Sequence, residues 1–126
     1  MTRGELPAEV RRFILVSIPS VPYLEAVLLL RAEPDVLWNA ARLGQRLYVN
    51  ERVAGDLIRE LAGGAIAQAQ EAGGGWHYAP HADLAQLLDA LAAAYTHNLV
   101  GVTDLIHSRV DKRAQQFADA FRFRKE

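Results

Sequence analysis

Cysteine is absent from the sequence, which excludes disulfides, thiolate metal ligands and a cysteine nucleophile, and favours a reducing compartment. Neither sign of charge is in excess. Because 14 Lys and Arg stand against 15 Asp and Glu, total charge gives no strong attraction to nucleic acid or to a membrane. Long hydrophobic runs are also missing: 26–30 is far too short to cross a bilayer, and the first residues lack the apolar segment of a signal peptide. We therefore expect a soluble cytoplasmic protein with no membrane association.

The composition that remains is globular, with 51% hydrophobic and 23% charged residues in a chain of 126, the size of a single domain over 1–126. Apolar periodicity, capping residues and turn residues predict a mainly helical chain with one hairpin. In order, the predicted elements are a helix between Pro7 and Pro19, a helix between Ser20 and Pro34, a short strand at 35–38, helices that begin after the caps Asn39 and Asn50, the second of them ended by Gly63 and Gly64, a hairpin at 65–78, one long helix from Asp83 to about His107, and a last helix from Asp111 to about Phe123.

The two central helices share an apolar framework that has a small residue where the helices would come closest. The apolar positions are Leu43, Leu47, Val49, Ala54 and Leu57, the small position is Gly44, and the cap of the second helix is Asn50. With the short strand before them and the Gly-rich hairpin after them, the residues from about Val21 to Pro80 resemble the winged helix-turn-helix superfamily of bacterial transcriptional regulators. One position departs from the pattern, because Tyr48 stands at the turn where simple members often have Gly.

The resemblance implies a mainly α fold with a small β-hairpin wing. A winged helix-turn-helix core would cover 20–80, with an N-terminal helical arm at 1–19 and a C-terminal helical arm at 81–126. It also implies a regulator that binds duplex DNA, with a recognition helix at about 50–62 in the major groove. The residues that would lie at the DNA are Arg46, Asn50, Arg52, Gly55 and Arg59. Arg52 could make a bidentate contact to guanine, while Asn50 or Arg59 could reach a phosphate.

The charge of the same segment favours a second interpretation. Four arginines stand against five carboxylates between 35 and 80, a net charge of −1, and the hairpin turn at 71–75 offers no Lys or Arg to a phosphate. Because neutralisation of phosphates supplies most of the non-specific affinity for DNA, we expect weak binding by a monomer. The alternative is a winged-helix module that holds a partner protein and has no specific DNA binding.

A heptad-like pattern in the predicted long helix favours a homodimer. Its members are Leu84, Leu88, Leu91, Tyr95, Asn98, Val102 and Leu105, which follow one another at alternating spacings of four and three. A single polar member such as Asn98 can fix the register between paired helices. The alternative is a monomer whose terminal helices fold back over the core. The tail at 107–126 carries six Lys and Arg against three Asp and Glu, which predicts an accessory DNA contact or a docked helix.

No sequence motif indicates an enzyme. Neither a nucleophile elbow nor a phosphate-binding loop occurs, and we expect no catalytic residues and no cofactor. The spacing of His97, Asp104 and His107 could place three metal ligands near one helix face, although we expect hydrogen-bonded or pH-sensitive histidines rather than a metal site. A ligand pocket lined by aromatic side chains stays an open alternative. Its candidate residues are Trp38, Trp76, Tyr78 and Tyr95.

Overall fold

The computed structural model describes residues 6–71 and 73–124, with the side chains of 109–114, 117 and 119–124 outside the description. This part of the chain is mainly helical and contains one small antiparallel hairpin, which confirms the predicted fold class at that level. The elements are α1 (Ala8–Ser17), α2 (Val21–Ala32), α3 (Ala40–Leu47), α4 (Glu51–Gly63), β1 (Ala67–Ala69), β2 (Trp76–Tyr78), α5 (Ala82–His97) and α6 (Leu99–Arg124). The predicted contacts of the basic tail lie outside the described residues.

The chain divides into two compact units. One comprises Pro22–Ala92, and the other comprises Met1–Val21 with Ala93–Glu126. In the first unit, α2, α3 and α4 surround a core of aliphatic side chains and one tryptophan, and a three-residue turn at 64–66 joins α4 to β1. The fully buried large residues of this unit are Leu24, Leu30, Trp38, Leu43, Leu61, Ile66, Leu88 and Leu91.

The hairpin is short and is joined to the chain before α3. Strand β1 pairs with β2 in the register Ala67 to Tyr78, Gln68 to His77 and Ala69 to Trp76. On its other side, Trp76 makes an isolated antiparallel bridge to Trp38. The backbone N–H of Trp38 donates to the Trp76 carbonyl at 2.6 Å, and the N–H of Trp76 donates to the Trp38 carbonyl at 2.8 Å. The prediction of a strand at 35–38 is therefore wrong, because only Trp38 of this segment pairs with the hairpin, through this single bridge.

The second unit is built on the packing of α1 against α6. Val10, Ile14 and Ile18 are fully buried, as are Val102 and Ile106 of α6. The N–H of Ile18 donates to the Ile14 carbonyl at 3.1 Å and closes the last turn of α1. The predicted N-terminal helix is confirmed over Ala8–Ser17.

The predicted long helix from Asp83 to His107 is wrong, because the chain breaks at Asn98. The Asn98 side-chain oxygen accepts a hydrogen bond from the N–H of Gly101 at 2.9 Å, so Asn98 caps a new helix, α6. The Asn98 side chain lies close over Gly101, in the space that a Cβ at position 101 would take, so a larger residue there would require this side chain to shift. The break predicted between 107 and 111 is also wrong, since α6 runs through it to Arg124.

The break changes the interpretation of the heptad pattern. Leu84, Leu88, Leu91 and Tyr95 lie on α5, whereas Val102 and Leu105 lie on α6, so no continuous helix carries the seam. Three of the seven members, Leu88, Leu91 and Val102, are fully buried inside the chain. Formation of a homodimer stays a prediction, but its predicted interface on one long helix is not present in this form.

No single helix in the described ranges has both the length and the hydropathy needed to cross a membrane. Helices α1 and α2 reach those values only when they are counted together across the break at 18–20.

Candidate nucleic-acid interface

Helices α3 and α4 are joined by a tight connection that depends on a glycine in α3. The N–H of Val49 donates to the Gly44 carbonyl at 3.0 Å. A Cβ built on Gly44 would lie 2.7 Å from the Val49 carbonyl oxygen and 3.6 Å from the Cβ of Ala54 in α4. The sequence prediction that a small residue is needed where the two helices come closest is therefore confirmed at position 44.

Asparagine side chains cap both helices, as predicted. Asn39 Oδ1 accepts from the N–H of Arg42 at 2.8 Å at the start of α3, and Asn50 Oδ1 accepts from the N–H of Val53 at 2.8 Å at the start of α4. Each bond satisfies a helix N–H that has no partner within its own helix. The Asn50 side chain, which the sequence predicts at the DNA, is committed to this cap.

Tyr48 ends α3 in a left-handed conformation, with φ 59° and ψ 42°. Tyr48 is 94% exposed, so no packing against the residues that the structure describes accounts for a tyrosine at a position that suits glycine. The residue marks the turn between the two helices, and together with Val53, 39% exposed, it places apolar surface beside the start of α4.

The strain at Tyr48 leads to a stability prediction. Tyr48→Gly is expected to raise the free energy of unfolding by about 0.5–1 kcal/mol, because a left-handed backbone costs an L-residue about 1–2 kcal/mol and the larger chain entropy of glycine offsets part of the gain. Tyr48→Ala keeps the Cβ and removes only the exposed ring, so it should leave stability close to that of the unchanged chain. Urea unfolding measures both variants. If the free energy of unfolding rose equally in Tyr48→Gly and Tyr48→Ala, backbone strain would not be the cause.

Helix α4 has one buried face and one exposed face. The buried face consists of Ala54, Leu57, Ile58 and Leu61. The exposed face carries charges of both signs, Glu51, Arg52, Asp56, Arg59 and Glu60. Gly55 is half-buried, and a Cβ built there would lie 3.8 Å from the Cβ of Ala40, so this predicted DNA contact lies towards the start of α3.

Arg46, at the end of α3, is held by a carboxylate that follows α2. Its Nη1 donates to Glu33 Oε1 at 3.2 Å, and its Nη2 donates to Glu33 Oε2 at 2.5 Å. The guanidinium also lies 5.7 Å from the centroid of the Trp38 ring, within cation–π range. The hydrogen bond from Arg46 lowers the pKa of Glu33, and the same bond raises the pKa of Arg46.

The other arginines near this surface differ in their partners. Arg59 forms an ion pair with Asp56, one turn away on the same helix. Arg42 Nη1 donates to the Leu37 carbonyl at 3.0 Å. Arg52 is exposed, and no hydrogen bond or ion pair joins it to any residue that the structure describes. Of the five predicted DNA contacts, Arg52 is thus the one whose side chain is fully available.

The hairpin turn beside this surface carries no cation. The N–H of Gln70 donates to the Gly75 carbonyl at 2.8 Å, and the N–H of Gly73 donates to the Gln70 carbonyl at 3.1 Å. Residues 64–80 contain no Lys or Arg, so a phosphate near the turn would meet backbone N–H groups, polar side chains and the Glu71 carboxylate, which would repel it.

Residues proposed for other chemistry are not brought together. Within 6–71 and 73–124, no three His, Cys, Asp or Glu side chains are grouped so that they could hold a metal ion, so His97, Asp104 and His107 do not form the candidate cluster. Trp38 Nε1 and Tyr78 Oη are buried and make no hydrogen bond to the described residues. Burial raises the pKa of Tyr78, with a further rise from Asp89. Ligand binding by these aromatic residues stays a prediction.

Sequence reasoning missed Glu33. It lies 13 residues from Arg46, and a carboxylate in a connection between helices has no periodic relation to a position on the next helix. Its location directly after α2, ahead of a basic α3, is the signal that could have indicated an ion pair.

Comparison with known proteins finds no family model that matches the sequence, and no curated protein or solved structure that is significantly similar to it.

Proposed function

We propose that this chain is a winged helix-turn-helix protein that binds duplex DNA as a homodimer and regulates transcription, with α4 in the major groove. The observation that carries the proposal is the joint between α3 and α4. Contact at Gly44, a left-handed residue at 48 and the Asn50 cap fix the two helices and leave the outer face of α4 open to solvent. A helix held in this way is what a major groove admits.

The hairpin and its bridge support the same proposal. Two short strands follow α4, and Trp76 pairs with Trp38 just before α3, so the hairpin is tied to the start of the helix pair. That order of elements is the one expected of a wing beside a recognition helix. The turn has no Lys or Arg and carries the Glu71 carboxylate, which predicts that the hairpin adds little to phosphate binding.

The homodimer is supported by apolar side chains that the second unit leaves exposed. Leu15 and Val16 of α1 are 39% and 69% exposed, and Leu99 and Val100 of α6 are 51% and 64% exposed. These four residues are better candidates for an interface than the buried members of the heptad pattern. A dimer would present two α4 helices and double the number of phosphate contacts.

Salt-dependent binding to DNA tests the proposed function. Fluorescence anisotropy would follow the purified chain with two labelled duplexes, one from upstream of its own gene and one with the same bases scrambled. Preference for the first duplex, with affinity that falls steeply as salt rises, is expected from counterion release. Failure to bind either duplex at low salt would overturn the proposal.

Arg52 is the side chain we expect to read a base. Arg52→Ala should lower discrimination at one base pair by about 1–3 kcal/mol if the guanidinium contacts a guanine. Arg11→Ala is the matched control, because Arg11 is exposed on α1 and its loss changes the net charge equally. Binding to a panel of single-base duplex variants measures the effect. An unchanged site preference in Arg52→Ala would remove this assignment.

A second candidate function is favoured by the charges on the same surface. Glu33 and Asp56 already neutralise Arg46 and Arg59, while Tyr48 and Val53 expose apolar area. A protein partner would suit such a mixed surface better than a polyanion. Binding to a partner protein that is nearly independent of salt, without duplex binding, would favour this interaction module over the regulator.

A further inference from the structure

The ion pair between Arg46 and Glu33 is unusually well fixed for one at the surface. Both guanidinium Nη atoms donate to the two carboxylate oxygens, and the side chains of Arg46 and Glu33 are 46% and 35% exposed. The Trp38 ring beside the guanidinium is fully buried and is held in place by the bridge to Trp76. The pair therefore has a rigid support as well as two hydrogen bonds.

The geometry points to Glu33 as an intramolecular competitor that keeps Arg46 from DNA phosphate and so sets the affinity of the chain for duplex DNA. This inference rests on the proposed DNA binding. A carboxylate that takes both Nη donors occupies the same guanidinium edge that a phosphate would use for a bidentate contact. Binding of a phosphate by Arg46 requires that Glu33 first be displaced.

The competitor acts throughout the neutral pH range. Arg46 holds the pKa of Glu33 below its ordinary value, so the carboxylate remains ionised there. Displacement by a phosphate thus exposes a charged carboxylate beside a second anion, which adds repulsion to the lost hydrogen bonds.

The second ion pair of this surface is a weaker competitor. Arg59 and Asp56 lie three residues apart on α4, their side chains are 72% and 54% exposed, and one hydrogen bond joins them. Such pairs exchange readily with solvent and with other anions. We therefore assign the main control of affinity to Glu33.

A set of five variants tests the inference by anisotropy with one duplex over a range of KCl concentrations. Glu33→Gln is expected to bind about five- to tenfold more tightly near 0.1 M salt, and to steepen the slope of log K against log salt by about 0.9, the share of one phosphate contact. Asp35→Asn is the matched control. Asp35 lies two residues after Glu33, and its exposed side chain forms no ion pair with any described residue. Because Asp35→Asn removes the same charge without releasing an arginine, it should leave the slope unchanged.

Three further variants, Glu33→Asp, Arg46→Gln and the double variant with Glu33→Gln, separate release of Arg46 from a general change of charge. Glu33→Asp keeps the charge but withdraws the carboxylate, and it too should bind more tightly. In the Arg46→Gln background, Glu33→Gln should give no more than the small gain seen with Asp35→Asn. A gain that persists without Arg46, or equal effects of Glu33→Gln and Asp35→Asn, would overturn the inference.

The outcomes also distinguish this inference from the function on which it rests. If the unchanged chain binds duplex DNA and Glu33→Gln binds with the same affinity and the same salt dependence, the inference about Glu33 is wrong while the proposed DNA binding stands. If neither chain binds at low salt, the proposed function fails and the competitor fails with it. Thermal unfolding of each variant shows that the compared chains are folded.

Discussion

Truncation of Trp38 to alanine is expected to lower the free energy of unfolding by about 3–5 kcal/mol. The side chain is fully buried in the unit that contains α2, α3 and α4, and it is among the largest fully buried side chains of the described residues. Its removal takes away both the transfer free energy of the ring and the contacts of the atoms around it, because a packed interior closes a cavity only in part.

The matched control is Trp76→Ala. Trp76 is the partner of Trp38 in the isolated bridge, but its side chain is only half-buried, so the same truncation should cost about half as much. Because the bridge uses backbone groups alone, both variants keep its two hydrogen bonds available. Urea unfolding, read as a shift of the midpoint at constant slope, measures the two losses. Equal losses would contradict the central place given to Trp38.

Trp38 also connects stability with the proposed function. Its ring lies beside the Arg46 guanidinium, and its backbone holds β2 next to the start of α3. A chain without this ring loses the support of the pair between Arg46 and Glu33. We therefore interpret any rise in DNA affinity of folded Trp38→Ala as release of Arg46.

The features that could be predicted from the sequence are those determined by neighbours along the chain. An asparagine that precedes a segment with helical apolar spacing can accept a hydrogen bond from the backbone N–H three residues later and so cap the helix, and both Asn39 and Asn50 do so. Gly44 could be identified because two apolar helices separated by a short turn must approach closely somewhere. The hairpin followed from its Gly-rich turn, since such residues supply the conformations that reverse a chain.

The break at Asn98 could not be predicted from spacing. Apolar residues repeat at alternating spacings of four and three in one continuous helix. They can keep the same spacings on both sides of Asn98 when that asparagine ends one helix and caps the next. The spacing predicts Asn98 as the polar member of a heptad seam, whereas its side-chain oxygen accepts a hydrogen bond from the N–H of Gly101. The residue three positions after a capping asparagine gives no distinct signal, since the N–H groups of Arg42 and Val53 donate to the same kind of cap although both residues carry a Cβ.

The candidate site was predicted only in outline, because side-chain partners depend on three-dimensional contacts. Helical spacing identifies Arg52 and Arg59 as outward residues of α4, and both are exposed. It could not show that Arg59 is paired with Asp56, nor that Arg46 is held by Glu33 from another part of the chain. The difference between an exposed arginine and an available one therefore came only from the structure.

Gly75→Ala is expected to lower the free energy of unfolding by about 2–5 kcal/mol, as the sum of two effects. Gly75 has φ 111°, which L-residues rarely adopt, and a Cβ built there would lie 2.7 Å from the Trp38 carbonyl oxygen. Since that oxygen accepts the N–H of Trp76, relief of the clash must stretch or break the bridge.

The control for this prediction lies two residues away in the same turn. Gly73 has φ 73°, but a Cβ there would meet nothing within 4 Å, so Gly73→Ala should cost only the backbone strain, about 1–2 kcal/mol. Urea unfolding measures both variants, and hydrogen exchange of the Trp38 and Trp76 amides follows the bridge. Faster exchange in Gly75→Ala alone is the expected pattern. Equal destabilisation of the two variants would mean that backbone strain at positive φ, rather than the contact with Trp38, determines the loss of stability. The hairpin would then be attached to the helix pair less firmly than its geometry indicates.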